Sequence, residues 1–169
     1  MMDPASAAGG PAMRTPVSEL MTRDVAVVTT DTEIHELERL FLEKKIHGTP
    51  VVDTDGRLVG VISQTDLLAW HFNNGIDGSG FYEAPEMPDP EGVRNLRVSD
   101  IRTATVGEVM TPLVHAIRET ATAGEAAERM LRHRIHRLIV VDENLRVRGI
   151  VSAMDLLRLL PGVTVERRR

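Results

Sequence analysis

The chain has 169 residues, 42% of them apolar, and carries Lys+Arg 20 against Asp+Glu 25 for a formal net charge of −5. That length suits one compact domain or two small ones sharing an interface. The acidic balance repels long nucleic acids, the 3% of aromatic residues provide no stacking platform for single strands, and no apolar run approaches the roughly 20 residues of a membrane span. Cysteine is absent, which removes disulfides, thiolate nucleophiles and cysteine-bound zinc. These totals predict a soluble protein of a reducing, cytoplasmic compartment, with neither nucleic acid nor membrane as partner.

In chain order, the opening MMDPASAAGGPAMRTP does not read as a secretory signal and predicts a disordered arm over 1–15. Val25–Val28 is a short β-branched run that predicts a strand. Ile34, Leu37, Phe41 and Leu42 then line one face of a helical period, with Thr32 as the expected N-cap. A hairpin follows: Pro50–Asp53, a turn at Thr54-Asp55-Gly56, and Leu58–Ile62. A second helix is expected from Thr65 onward. Residues 73–105 read as a connector crowded with Gly, Pro and acids, with Trp70, Phe72, Phe81 and Tyr82 at its edges.

Beyond the connector the pattern returns. Val17–Leu68 aligns with Val106–Leu157 without a gap, and Met21 and Met110, Ile46 and Ile135, Asp66 and Asp155 are each 89 positions apart. Thr22/Thr111, His47/His136, Gly60/Gly149 and Ser63/Ser152 also match. One register held over so many positions is a duplication. The second copy predicts a strand at Val114–Ile117 and a helix with Ala123, Ala126, Met130 and Leu131 on its apolar face. Thr122 and Glu125 form its capping box. A hairpin of Leu138–Asp142 and Val147–Val151 comes next, then a last helix stopped by Pro161-Gly162. A three-stranded sheet with two main helices on one face leaves its other face bare. Two such units packed with pseudo-twofold symmetry, an α/β (α+β) fold, bury one another.

Three pieces carry a resemblance: Val-x-x-x-Met-Thr at each start, Ile-His-Gly-Thr-Pro-Val-Val-Asp or Ile-His-Arg-Leu-Ile-Val-Val-Asp in the middle, and Gly, two apolar residues and Ser-x-x-Asp at each end. Together they resemble the CBS domain, which occurs in tandem pairs called Bateman modules. The resemblance implies a stand-alone pair, with one CBS domain over 16–72, a second over 106–162 and a basic tail at 163–169. It also implies a non-catalytic regulatory module that binds an adenine nucleotide of the AMP/ADP/ATP class in the cleft between its domains and signals to an unknown protein. S-adenosylmethionine or a cyclic dinucleotide are further ligands it admits, and no cofactor is required.

Carried over by position, Asp66 and Asp155 accept from ribose hydroxyls, while Ser63, Ser152, His136 and Arg137 meet phosphate. Thr49, Pro50, Leu138 and Ile139 face the adenine edge. The chemistry is coherent, since a carboxylate accepts from two vicinal hydroxyls and a planar guanidinium meets two phosphate oxygens. Copy one has Gly48 where copy two has Arg137, so the copies are not equivalent.

Other readings stay open beside this one. Ser-x-x-Asp is also a capping box that touches no ligand. His133 and His136 have a metal-ligand spacing, but Arg132, Arg134 and Arg137 crowd them with like charge. Neither serine sits in a nucleophile elbow, so an enzyme is not expected. The alternative function is a ligand-free dimerisation or assembly module. The apolar run Leu156–Leu160 and its counterpart Leu67–Trp70 motivate a homodimer.

Overall fold

The computed structural model describes residues 10–73, 104–112 and 114–163. In chain order it contains a 3₁₀ turn (Pro11–Arg14), α1 (Val17–Leu20), β1 (Val28–Thr29), α2 (Ile34–Lys44), β2 (Gly48–Val52), β3 (Leu58–Ser63) and α3 (Gln64–Asn73). After the connector come α4 (Val106–Val109), β4 (Ala116–Arg118), α5 (Ala123–His133), β5 (Arg137–Val141), β6 (Val147–Ser152) and α6 (Ala153–Leu157). The chain packs into two units. One takes its described residues from 26–55, 59–73 and 104–112, the other from 10–25, 56–58 and 114–163.

The first unit holds a sheet of order β1-β2-β3, with β1 parallel to β2 and Val28 opposite Val51. The parallel pair requires a crossover, which α2 supplies. Val28, Ile34, Leu37, Phe41, Val51, Ile62, Leu67 and Val106 form its core. The second unit repeats the plan as β4-β5-β6, with β4 parallel and β6 antiparallel to β5. Its core gathers Val17, Met21, Ile117, Ala123, Ala126, Met130, Leu138, Val140, Val151 and Leu156.

The exchange of leading segments is the main surprise. Val17 and Met21 open repeat one, yet they belong to the core built on repeat two's sheet; Val106 opens repeat two and belongs to the core of repeat one's sheet. Hydrogen bonds fix both placements. Thr22 and Ile150 exchange N–H···O bonds of 2.9 Å, and Val61 and Thr111 do the same at 3.0 and 2.8 Å.

Several sequence expectations need correction. Leu42 and Leu131 are 72% and 80% exposed, because each lies about 100° around the helix from its buried neighbour, Phe41 or Met130. Of Val25–Val28 only Val28 enters the sheet, and Ala26's carbonyl accepts from the Thr49 hydroxyl at 2.5 Å instead of a strand partner. In repeat two the strand begins at Ala116 rather than Val114, and Ile139 N–H donates to the His115 carbonyl that precedes it. Thr32 is not a cap: Glu33 occupies that position, and the Thr32 hydroxyl accepts from Thr29 N–H. The last helix ends at Leu157, before Pro161.

Order begins earlier than the arm expected over 1–15, since Pro11–Arg14 form a turn and Thr15's carbonyl accepts from Ala123 N–H at 2.8 Å. Residues 1–9, most of the connector with Phe81 and Tyr82, and the tail beyond Val163 lie outside the described residues.

The capping box at α5 is formed as expected. Thr122 N–H and hydroxyl donate to Glu125 at 2.7 and 2.9 Å, and the Thr122 hydroxyl accepts from Glu125 N–H. These donors hold the Glu125 carboxyl below its ordinary 4.5. A carboxylate lowered in the folded state contributes stability above its unfolded pKa and loses it as pH falls through the lowered value. Thr122→Ala should therefore cost about 1 kcal/mol in denaturant unfolding at neutral pH, more than Thr32→Ala. The difference between the parent and Glu125→Gln should close as the pH is taken below the carboxylate range.

Candidate functional site

The Ser-x-x-Asp motifs sit where β3 runs into α3 and β6 into α6. In repeat two, Asp155 Oδ2 accepts from Ser152 N–H at 2.9 Å and from the Ser152 hydroxyl at 2.6 Å, while Ser152 Oγ accepts from Asp155 N–H at 3.3 Å. Repeat one is almost superposable in its distances: 2.8, 2.6 and 3.3 Å for Ser63 and Asp66. Capping is thus a formed interaction in both copies. It commits one oxygen of each carboxylate and the single proton of each serine hydroxyl, so Ser63 and Ser152 must rotate before donating to a phosphate.

The second carboxylate oxygen is where the copies part. Asp66 Oδ1 accepts from the Thr111 hydroxyl at 3.2 Å. Asp155, only 7% exposed, has its Oδ1 3.4 Å from an Arg158 guanidinium nitrogen. Each Oδ1 keeps the capacity to accept from a diol, with a neutral hydroxyl or a guanidinium as the group to be displaced.

His136 and Arg137 are exposed at the head of β5, and Arg137 is paired across the sheet with Ser152. Opposed residues project from the same face, so Arg137, one of the expected phosphate pair, shares a face with Ser152, while the contact found at His136 is its carbonyl accepting from Ala153 N–H at 2.9 Å. In repeat one, His47 Nδ1 lies 2.9 Å from Gln64 Oε1. The adenine candidates are core residues: Thr49, Pro50, Leu138 and Ile139 are all buried. Gln64 and Arg158 touch this constellation and were not singled out by motif, while Thr111 belongs to the Met-Thr motif but was given no place at the site. The 89-residue offset holds the signal, since it sets Gln64 against Ala153 and Arg158 against Ala69.

Glycine explains how the leading segments reach this place. A Cβ on Gly149 would stand 2.6 Å from the Thr22 carbonyl oxygen and 2.7 Å from Met21 Sδ; on Gly60 it would stand 2.6 Å from Met110 Sδ and 3.1 Å from the Thr111 carbonyl oxygen. The Met-Thr of one motif and the Gly of the other are two halves of a single contact.

Elsewhere in the second unit, a concavity of about 390 Å³ is lined by His115, Arg129, Arg132 and His133 among others. His133 there meets the ring of His115, with centroids 4.5 Å apart. Among the described residues no group of three His, Cys, Asp or Glu is arranged to hold a metal ion, and no helix is long and apolar enough to cross a membrane.

Comparison with known proteins agrees with the repeat and its motifs. The family model for the CBS domain matches residues 17–72 and 106–162. The chain belongs to the CBS-domain family. Among its relatives, the chloroplastic CBS domain-containing protein CBSX1 of Arabidopsis thaliana is 34% identical over 84% of this chain, and the match spans 62% of CBSX1. The uncharacterized protein MJ1426 of Methanocaldococcus jannaschii is 31% identical over 85% of this chain and 90% of its own length. The crystal structure of CBSX2 in complex with AMP matches with a TM-score of 0.62 at 29% identity, covering 85% of this chain and 94% of that one.

The glycine contacts make an unequal pair of CBS-domain variants. Gly149→Ala meets a backbone oxygen that cannot swing aside, whereas Gly60→Ala chiefly meets the flexible end of Met110. Overpacking costs about 1–3 kcal/mol, and Gly149→Ala should fall toward the upper end and Gly60→Ala toward the lower in denaturant titrations.

Proposed function

We propose that this CBS pair is a non-catalytic regulatory module that binds an adenine nucleotide at its Ser-x-x-Asp boxes and signals to a separate protein. The observation that carries this reading is the constellation in repeat two. A nearly buried carboxylate with one capping-free oxygen follows Ser152, which is paired with Arg137 at the exposed head of the central strand β5. Asp155 takes the ribose hydroxyls and Arg137 the phosphate, with Asp66 as the ribose acceptor of repeat one. The AMP complex of CBSX2 supports the choice of ligand class. AMP, ADP and ATP lead the candidates, followed by S-adenosylmethionine and a cyclic dinucleotide. The proposed setting is the cytoplasm, and no cofactor is needed.

A homodimer belongs to the same proposal. Of the expected runs Leu67–Trp70 and Leu156–Leu160, Leu67 and Leu156 turn into the cores at 6% and 8% exposure, while Leu68, Leu157 and Leu160 are exposed. The exposed apolar residues include matched positions, Leu42 with Leu131 and Leu68 with Leu157, joined by Phe72 and Leu160. Two sets of solvent-facing leucines on the helix flanks suit a self-complementary contact, and they are also what a purely structural assembly module would need.

Thermal unfolding with a nucleotide panel separates the two readings. A ligand at 100 times its Kd adds about 2.7 kcal/mol of stability, so at least one adenine nucleotide should raise the melting temperature. Asp155→Ala should weaken every ribonucleotide about ten- to a hundredfold in calorimetry, the equivalent of ~1.5–3 kcal/mol for a charge-assisted hydrogen bond. Its ligand-free melting temperature serves as the control for the lost cap. No shift with any nucleotide at millimolar concentration would leave assembly as the function. On assembly itself, light scattering should give twice 18.7 kDa, and Leu68→Glu with Leu157→Glu should return the monomer.

A further inference from the structure

We infer that the open edge of strand β4 is a docking site for an extended, acidic segment of a partner protein. Its residues are none of those proposed to hold the nucleotide, and the partner of the regulatory module thereby acquires a chemistry.

β4 is the outer strand of its sheet, with β5 as its neighbour. The His115 carbonyl accepts from Ile139 N–H at 3.2 Å, and Glu119 N–H donates to the Val141 carbonyl at 3.0 Å. His115 and Glu119 therefore turn their backbone groups toward β5, and the alternation of a strand turns those of Ala116 and Arg118 outward. Both outward carbonyls are engaged: the Arg129 guanidinium donates to that of Ala116, and Ala121 N–H donates to that of Arg118 at 3.0 Å. The outward N–H groups of Ala116 and Arg118 meet no acceptor among the described residues. The edge thus offers donors without acceptors, two residues or roughly 6.6 Å apart along the strand.

Repeat one closes the same edge from within. Thr29, matched to Arg118, donates its N–H to the Thr32 hydroxyl at 3.1 Å, and Thr32 is matched to Ala121, which has no side-chain oxygen. Where repeat one has an internal acceptor, repeat two has none and carries arginine instead: Arg118 stands for Thr29 and Arg129 for Leu40.

Beside this edge lies a concavity of about 500 Å³ lined by Arg118, Thr120, Glu125, Arg129, Val141 and Leu145 among others. The acids nearby are occupied, since Glu125 Oε2 accepts from Thr122 N–H and hydroxyl and Glu128 is paired with Arg132. Arg118 and Arg129 each donate to a carbonyl, of Asp142 and Ala116. A guanidinium has five N–H donors, so both can still fork onto a carboxylate.

An extended peptide answers each feature. Its carbonyls at alternate residues recur at the spacing of the two N–H groups. Its acidic side chains pair with Arg118 and Arg129, and Leu145, 46% exposed, gives it an apolar surface. Because the outward carbonyls of β4 are taken, the incoming segment accepts far more than it donates, and its carboxylates provide most of the affinity.

Fluorescence anisotropy on the full chain, without nucleotide, tests this with a labelled peptide of alternating glutamate and threonine. A helix-forming peptide of equal charge and free glutamate are the comparators. The extended peptide should bind, less tightly as salt is raised, and both comparators should bind at least tenfold more weakly. Arg118→Gln and Arg129→Leu should each weaken the peptide about tenfold or more, as for a lost charge-assisted hydrogen bond. Ala121→Thr gives repeat two the hydroxyl of repeat one at unchanged charge and should weaken the peptide several-fold. Melting temperatures confirm folding, and Arg118→Gln with Ala121→Thr decide the matter if Arg129→Leu fails to fold. No binding of the extended peptide at millimolar concentration, equal binding of the helical one, or arginine variants that weaken it while Ala121→Thr does not, would overturn the docking site and leave the nucleotide reading untouched.

Discussion

The structure turns on the contact between a methionine-threonine pair and a side-chain-free position in a strand. Gly60 and Gly149 have no Cβ, so the backbone of Thr111 or Thr22 comes down onto β3 or β6 and exchanges hydrogen bonds with Val61 or Ile150. That leaves Val106 and Val17 fully buried within their cores. In repeat one it also sets the Thr111 hydroxyl against Asp66. In repeat one, core closure and the composition of the box around the carboxylate therefore follow from the same close approach, and a methyl group at Gly60 disturbs both.

The two oxygens of the carboxylate in each Ser-x-x-Asp box have different surroundings. Oδ2 is spent within the protein, satisfying a serine N–H and hydroxyl and thereby fixing the rotamer of the aspartate. Oδ1 is left facing groups that vary between repeats. An acceptor whose orientation is set by an internal hydrogen bond loses little freedom on meeting a ligand. The cap is for this reason compatible with the proposed ligand role.

Much of this was legible before any coordinates. The constant offset between copies, the helix faces through Ile34, Leu37 and Phe41 and through Ala123, Ala126 and Met130, and the Thr122 cap all follow from periodicity and local chemistry. Leu42 and Leu131 misled because an apolar residue at the border of a helical stripe has the same spacing signature whether it is covered or not. Val25 and Val114 misled because β-branched side chains mark an extended chain, while membership of a sheet depends on a partner whose backbone is free. The exchange of leading segments left no local trace at all. A segment's own residues do not specify which of two similar sheets it covers; loop length and long-range packing decide that. Of the site, the matched serines and aspartates were readable as motif and Thr111 as part of Met-Thr, whereas Gln64, Arg158 and the contact of Thr111 with Asp66 emerge only when neighbours in space are compared with neighbours in the alignment.

The exchanged segments also say something about how such a chain arises and how it can be divided. Each repeat's sheet lacks its own cover and is completed by a stretch that precedes the other repeat. A fragment cut at the connector would carry a leading segment with no sheet to receive it and a sheet with no segment to cover it. Two copies of a single repeat meet both needs by trading arms with each other, at the entropic disadvantage of bringing separate molecules together. Fusion of the copies removes that disadvantage and frees them to diverge: once the partner is permanently attached, a residue such as Arg137 can change in one half without being forced on the other.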